Sequence, residues 1–243
     1  MDLRSMLPEL NNLAYVTYSH SNHADVWQMY ADQLGKHAPK LPHYAFLDTS
    51  SEVFENVHVY KDEDPYYRQY LTGLEKVEEE YLVYLLEDFI LYDDVNVADM
   101  QKALEFLEQY PEYSYVRLIR SGVIESTSLG SGFYEIGSGS QNVYSMQASI
   151  WRKDHLVKLY NTARVDWIRN EAEHDPAYRE LGMRGVYMYM GEPKRGMTHY
   201  DSSVFPYVST ALVKGKWNFM EYQKELEPLL QKYDIDALTR GVF

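Results

Sequence analysis

The sequence predicts an α/β fold, Rossmann-like in plan: a mostly parallel central sheet flanked by helices. Three observations predict it. Short β-rich runs alternate with stretches whose apolar residues recur at helical spacing. One run, Glu80 to Leu86 (EYLVYLL), is almost continuously apolar, as a strand covered on both faces would be. At 243 residues and 45% hydrophobic composition, the chain can bury one large core without disulfides or a structural metal.

The elements follow in order. Leu13 to Tyr18 (LAYVTY) is a strand that ends in the polar turn SHSNH. Val26, Trp27, Tyr30 and Leu34 then share one face of a helix, with Gly35 close to its end. His43 to Leu47 and Val57 to Tyr60 read as strands. After Pro65, which suits a first helical turn, Tyr67, Tyr70, Leu71, Leu74 and Val77 mark an amphipathic helix. The strand ending at Leu86 runs straight into EDFILYDD. A helix with Val97, Met100, Leu104 and Leu107 on one side follows, and then a strand over Tyr115 to Ile119.

Ser126 to Ser140 is rich in Gly and Ser and reads as a mobile loop within the domain. Tyr144 to Trp151 reads as a strand, followed by two helices. A last amphipathic helix carries Phe219, Tyr222, Leu226, Leu229 and Leu230. Loops at the carboxyl ends of parallel strands are where ligands sit. The SHSN and EDFILYDD turns both occupy such ends.

Composition excludes several function classes. Acids outnumber bases 37 to 23, for a net charge of −14, so a nucleic-acid-binding face is not expected. A pocket for one diphosphate needs only one or two Lys or Arg and stays open. The absence of cysteine removes thiol nucleophiles, disulfides and Cys-ligated zinc. It fits a cytoplasmic location. The N-terminus lacks the apolar run of a signal peptide. No stretch approaches the roughly 18 consecutive apolar residues of a transmembrane segment. Gly130, Gly132, Gly137 and Gly139 match neither a P-loop nor the dinucleotide fingerprint. There is no Gly-x-Ser-x-Gly elbow and no His-Glu-x-x-His helix. Tyrosine is abundant, with 24 copies. Most of these would fill half-buried faces, and a few would serve to stack on sugar or base rings.

Three segments carry candidate chemistry. Glu87 and Asp88 end the buried strand, with Asp93 and Asp94 just beyond. Carboxylates there are costly unless they bind a cation or accept strong hydrogen bonds. A divalent cation on them would suit a diphosphate; the alternative is a solvated acidic loop. In the second segment, Trp151 and Trp167 flank a helix and Glu171 follows. A carboxylate beside a Trp wall could take a proton from an acceptor hydroxyl, or both Trp residues could be core and Glu171 surface. In the third, GEPKRGMTHYDSS, Lys194 and Arg195 could pair with phosphate oxygens and His199 could ligate a metal, or the loop is merely solvated. Helix capping and exposure account for His20 and His23.

Taken in order, VTYSHSNHADVW, YLVYLLEDFIL, SMQASIWRKDHL, DWIRNEAE and STALVKGKWNFMEYQKELEPLL resemble the small bacterial and viral GT-A-type glycosyltransferases of polysaccharide assembly. The resemblance implies a single GT-A-like domain over 1–243. Its nucleotide-binding half would be 1–120, and its donor-sugar and acceptor half 121–243. It implies a nucleotide-sugar donor as co-substrate and a carbohydrate acceptor. Thr17, Tyr18 and Ser19 would line the nucleoside pocket. Glu87 and Asp88 would sit by the diphosphate, with Mn2+ or Mg2+ if a metal is used, and His199 as a further ligand. Gln147, Trp151 and Trp167 would face the sugars. Glu171 would be the general base, and Lys194 and Arg195 would lie on the phosphate side. Two positions depart from the family pattern. Phe89 stands where an Asp-x-Asp motif has its second acid, and Asn170 stands where the acid after Trp is expected. A glycoside hydrolase using two carboxylates, or a non-catalytic carbohydrate-binding protein, would use the same residue types.

Overall fold

The two most apolar strands of the chain lie side by side. The computed structural model describes residues 10–122, 125–166, 171–196 and 198–243. In it β1 (Leu13–Tyr18) leads into α1 (Ala24–His37), β2 (His43–Leu47) and β3 (Asn56–Val59). Then come α2 (Tyr66–Leu74), β4 (Tyr81–Leu86), the short β5 (Ile90–Leu91), α3 (Val97–Gln109) and β6 (Tyr115–Arg117). The hairpin β7 (Ser126–Gly130) and β8 (Phe133–Ile136) precedes β9 (Ser149–Arg152), α4 (Lys153–Ala163), α5 (Asp175–Glu180) and β10 (Gly185–Met188). Five two-residue strands follow: β11 (Lys194–Arg195), β12 (His199–Tyr200), β13 (Tyr207–Val208), β14 (Leu212–Val213) and β15 (Lys216–Trp217). Helices α6 (Phe219–Lys232) and α7 (Ala237–Arg240) close the chain.

Nine strands form the central sheet in the order β3-β2-β1-β4-β9-β6-β10-β8-β7. β9 and β8 run against the other seven. The expected α/β sheet, mostly parallel and flanked by helices, is present. Alternation along each strand divides the core in two. Tyr81, Val83 and Leu85 of β4 join Leu13 and Tyr15 on one face, under Trp27 and Tyr30 of α1 and Met100 and Leu104 of α3. Leu82 and Tyr84 join Ala14 and Val16 on the other, under Tyr66 and Tyr70 of α2 and Leu156 and Tyr160 of α4. A strand covered on both faces has no polar side to show, which is why β4 reads as an unbroken apolar run. Burying each such side chain contributes about 1.5–3 kcal/mol.

Asn96 caps α3 by accepting the Asp99 N–H at 3.1 Å, and Asn218 caps α6 by accepting the Glu221 N–H at 3.2 Å. No helix among the described residues is long and apolar enough to cross a membrane.

Gly35 is close to the end of α1, as expected, and the helix itself runs to His37. The stop is set by Pro39, which holds Ala38 in an extended conformation. Other boundaries differ from the sequence reading. The 126–140 segment is not a loop throughout. It opens with the β7–β8 hairpin at the sheet edge, and Ser131 and Gly132 turn it with φ of 52° and 82°. Two consecutive positive φ values are the geometry of a type I′ turn, which favours small residues. The 144–151 run is a strand only from Ser149. Upstream of it, side chains rather than a strand partner hold the backbone: the Tyr144 N–H bonds Asp175 and the Met146 N–H bonds Glu171.

Candidate active site

Strands β1 and β4 end level with one another, Tyr18 opposite Leu86. Ser19 and Glu87 therefore leave the sheet side by side, at carboxyl ends of parallel strands. A cleft of about 530 Å³ opens there, lined by Tyr18, Ser19, His23, Glu87 and Met146, with Asp62, Asp64, Gln69 and Asp166 also on its walls. Tyr18 is fixed on three sides. Its ring stacks on Tyr60 at 5.3 Å and on Tyr70 at 5.8 Å, and its hydroxyl donates to Gln69 Oε1 at 2.5 Å. Ser19 Oγ accepts from Trp27 Nε1 at 2.8 Å. The wall is thus aromatic and pre-formed. Its charges are carboxylates and histidines, with no Lys or Arg among the described lining residues. Carboxylates accept hydrogen bonds from the N–H and O–H groups of a base and a ribose.

Glu87 is buried and hydrogen-bonded to His23 Nδ1. That bond raises the His23 pKa, so the imidazole keeps its positive charge further up the pH range. Asp88 lines neither this cleft nor the cavity beside it. Burial, then the neighbouring Glu87 charge, pushes its pKa up to about 7, opposed by a hydrogen bond from the Leu212 backbone. Among the described residues no group of three or more His, Asp or Glu is arranged to hold a metal. A Mn2+ or Mg2+ at Glu87 would need the donor's diphosphate oxygens to complete its coordination.

A second cavity of about 500 Å³ lies across the segment 145–147. Met146 lines the first cleft, whereas Ser145 and Gln147 line the second with Arg117, Ser121, Glu171, His199 and Thr210. Glu171 anchors this partition by accepting the Met146 N–H at 3.0 Å. Burial raises the Glu171 pKa, with the Met146 bond and the Arg117 charge opposing. A half-buried carboxylate with a raised pKa is a stronger base than a free one and is suited to general-base work. Gln147 is fixed by the Tyr207 hydroxyl, which donates to its Oε1 at 2.7 Å, and by its own bond to the Ser209 carbonyl. His199 stays neutral, because burial lowers its pKa to about 4.

The structure thus brings Tyr18, Ser19 and Glu87 to one chamber, and Gln147, Glu171 and His199 to its neighbour. Other expected site residues do not join them. Thr17 is fully buried between the Tyr30 hydroxyl and His43 Nε2, so it is a core hydrogen-bonding residue rather than a pocket wall. Trp151 is fully buried in central β9, stacked on Tyr115 at 4.4 Å, and cannot face a sugar. Arg195 is consumed by Asp201 at 3.0 Å and Glu225 at 2.8 Å, and Lys194 lines neither cavity. Glu87 and His199 sit in different chambers, which separates the expected metal ligands. Trp167 lies outside the described residues. His20 does cap the turn after β1, accepting the Asn22 N–H at 3.0 Å. Sequence reasoning missed Arg117, which sits on a strand like any structural residue. It also missed the bond of His23 to Glu87, 64 positions away.

No protein-family model and no curated protein sequence matches the chain. Solved structures are similar in fold. TarS residues 1–349 from S. aureus aligns over 94% of this chain and 68% of its own, at a TM-score of 0.50 and 10% identity. GalNAc-T7, solved with UDP, GalNAc and Mn2+, aligns over 72% of this chain and 41% of its own, at 0.53 and 8%. A CMP:2-keto-3-deoxy-manno-octonic acid synthetase complexed with CTP covers 73% of this chain and 89% of its own, at 0.48 and 10%. The chain has a GT-A-like fold.

Proposed function

We propose that the protein transfers a sugar from a nucleoside-diphosphate donor to a carbohydrate hydroxyl. The observation that carries this reading is the pair of chambers at the carboxyl ends of β1, β4 and β6, separated by one short segment that Glu171 holds. The nucleoside lies in the cleft beside Tyr18 and gives hydrogen bonds to the carboxylates there. The sugar reaches past Met146 into the second chamber. There the acceptor oxygen attacks the anomeric carbon while its proton passes to the Glu171 carboxylate. The bond to the diphosphate breaks, the diphosphate leaves with the electron pair, and the anomeric centre inverts. Residues 1–120 supply the nucleotide half and 121–243 most of the sugar and acceptor half, in one domain. The fold likeness to GalNAc-T7, a protein solved with UDP and GalNAc, agrees with this reading.

The leaving diphosphate needs positive charge, and electrostatic support of this kind is commonly the largest catalytic contribution. Glu87 raises the His23 pKa, and in this reading the His23 imidazolium supplies part of that charge.

The test is a thermal-shift series with UDP, GDP, dTDP and CMP, each with manganese and with EDTA. One nucleotide should stabilise the protein, by about 2.7 kcal/mol at a hundredfold excess over its Kd. The shift should survive EDTA. If none of the four moves the midpoint, the reading fails.

A further inference from the structure

Arg117 is almost wholly buried, with 1% of its surface exposed, and it faces the second chamber. Its hydrogen bonds among the described residues go to neutral groups. Nη1 donates to Ser121 Oγ at 2.8 Å, and Nη2 donates to the carbonyls of Asn142 at 3.2 Å and Val143 at 3.3 Å. Its Nε–H has no partner among the described residues. A guanidinium cannot discharge itself by losing a proton. A buried cation without a paired anion is costly, and proteins retain one where a ligand supplies the anion.

The walls around it are short of negative charge. Glu171 is the acidic residue among those lining the chamber; its charge acts on Arg117, but it is not among the hydrogen-bond partners of the guanidinium given above. His199 is neutral at ordinary pH, and its buried Nδ1 is also unpartnered. Ser121 Oγ accepts from Arg117 and retains its own proton to donate. The chamber therefore offers an anion seat, made of the Arg117 Nε–H and the Ser121 hydroxyl. Beside it lie groups that bond hydroxyls: His199, Gln147 and Thr210.

We infer that this chamber binds a sugar residue bearing an anionic substituent, a carboxylate or a phosphate, with the anion on Arg117 and the ring hydroxyls on His199 and Gln147. This rests on the sugar-transfer reading above and names the substrate class it acts on. Guanidinium–oxyanion bonds are charge-assisted and stronger than neutral ones. They discriminate against the uncharged analogue because the unpaired cation would then stay buried.

The experiment uses the full chain and calorimetric titration with D-glucuronate, D-glucose 6-phosphate and D-glucose, alongside UDP. At least one anionic sugar should bind about tenfold or more tighter than glucose. The preference between glucuronate and the phosphate identifies which anion the seat takes. Arg117→Gln should bring the anionic sugar to the level of glucose and leave UDP binding within about twofold. Should that variant not fold, Thr198→Trp closes the chamber from an exposed rim position and should abolish sugar binding alone. Equal affinity for all three sugars in the unaltered protein overturns the inference, as does unimpaired sugar binding in Thr198→Trp. Parallel loss of UDP and the anionic sugar in Arg117→Gln also overturns it, because the guanidinium would then serve the donor's diphosphate. Binding of the anionic sugar without any nucleotide binding would leave this site standing and remove the transferase reading.

Discussion

His174 is a buried base, with the Glu171 backbone only weakly opposing the effect of its burial. It has no exposed surface, packs on Tyr144 at 4.3 Å between centroids, and neither ring nitrogen has a partner among the described residues. Burial lowers its pKa to about 4. The unfolded chain therefore takes up this proton first as pH falls. The contribution is complete above about pH 6.5 and is lost between there and about pH 4, at a slope of up to about 1.4 kcal/mol per pH unit. His43, lowered to about 4 by burial, adds to the same slope. His23 acts in the opposite sense: its pairing with Glu87 stabilises at low pH and is lost as pH rises through its raised pKa. Urea unfolding at pH 7 and pH 5 should show the loss, and His174→Phe should flatten part of it. A slope unchanged in the variant would mean that His174 is hydrated. Glu171 supplies the second prediction at this scale. Glu171→Gln should lower transfer by about 100- to 10,000-fold while the nucleotide thermal shift persists. Full activity in that variant would remove it as the base. Little of this was legible beforehand. Alternation says which face of a strand a residue takes, not which cavity that face meets. So Arg117 went unnoticed, while Trp151, which the family resemblance turned toward the sugars, is core.

Among the elements, β4 and β7 are opposites. Leu82 of β4 is fully buried between helices, and Leu129 of β7 is 43% exposed at the sheet edge. Leu82→Ala should cost about 2–5 kcal/mol, because the close-packed layers of α2 and α4 cannot collapse into the gap. Leu129→Ala should stay within about 0.5 kcal/mol. Chemical denaturation of both variants tests the contrast, and similar losses would show that the edge strand is better covered than it looks. The same contrast explains what the sequence disclosed. A strand packed on two faces writes an unbroken apolar run, and β4 was legible to within a residue. A polar edge hairpin writes Ser, Thr and Gly, which resemble a loop unless the positive φ values at Ser131 and Gly132 are known. Helices α1, α3 and α6 were legible because one apolar stripe meets one core.

At the scale of the molecule, the alternation of strand and helix was enough to read the sheet, but not its order. Strand order depends on which distant runs pair, and single residues carry no record of that. The consequence shows in β9. It is made after residue 148, yet it lies between β4 and β6, with Tyr81 opposite Arg152 on one side and Tyr115 opposite Trp151 on the other. Such long-range pairings close slowly. The parts of the chain before and after residue 120 are therefore woven together and not appended one to the other. As the chain emerges from a ribosome, everything up to β6 must wait with its middle seam open until the strand ending at Arg152 arrives to stitch it.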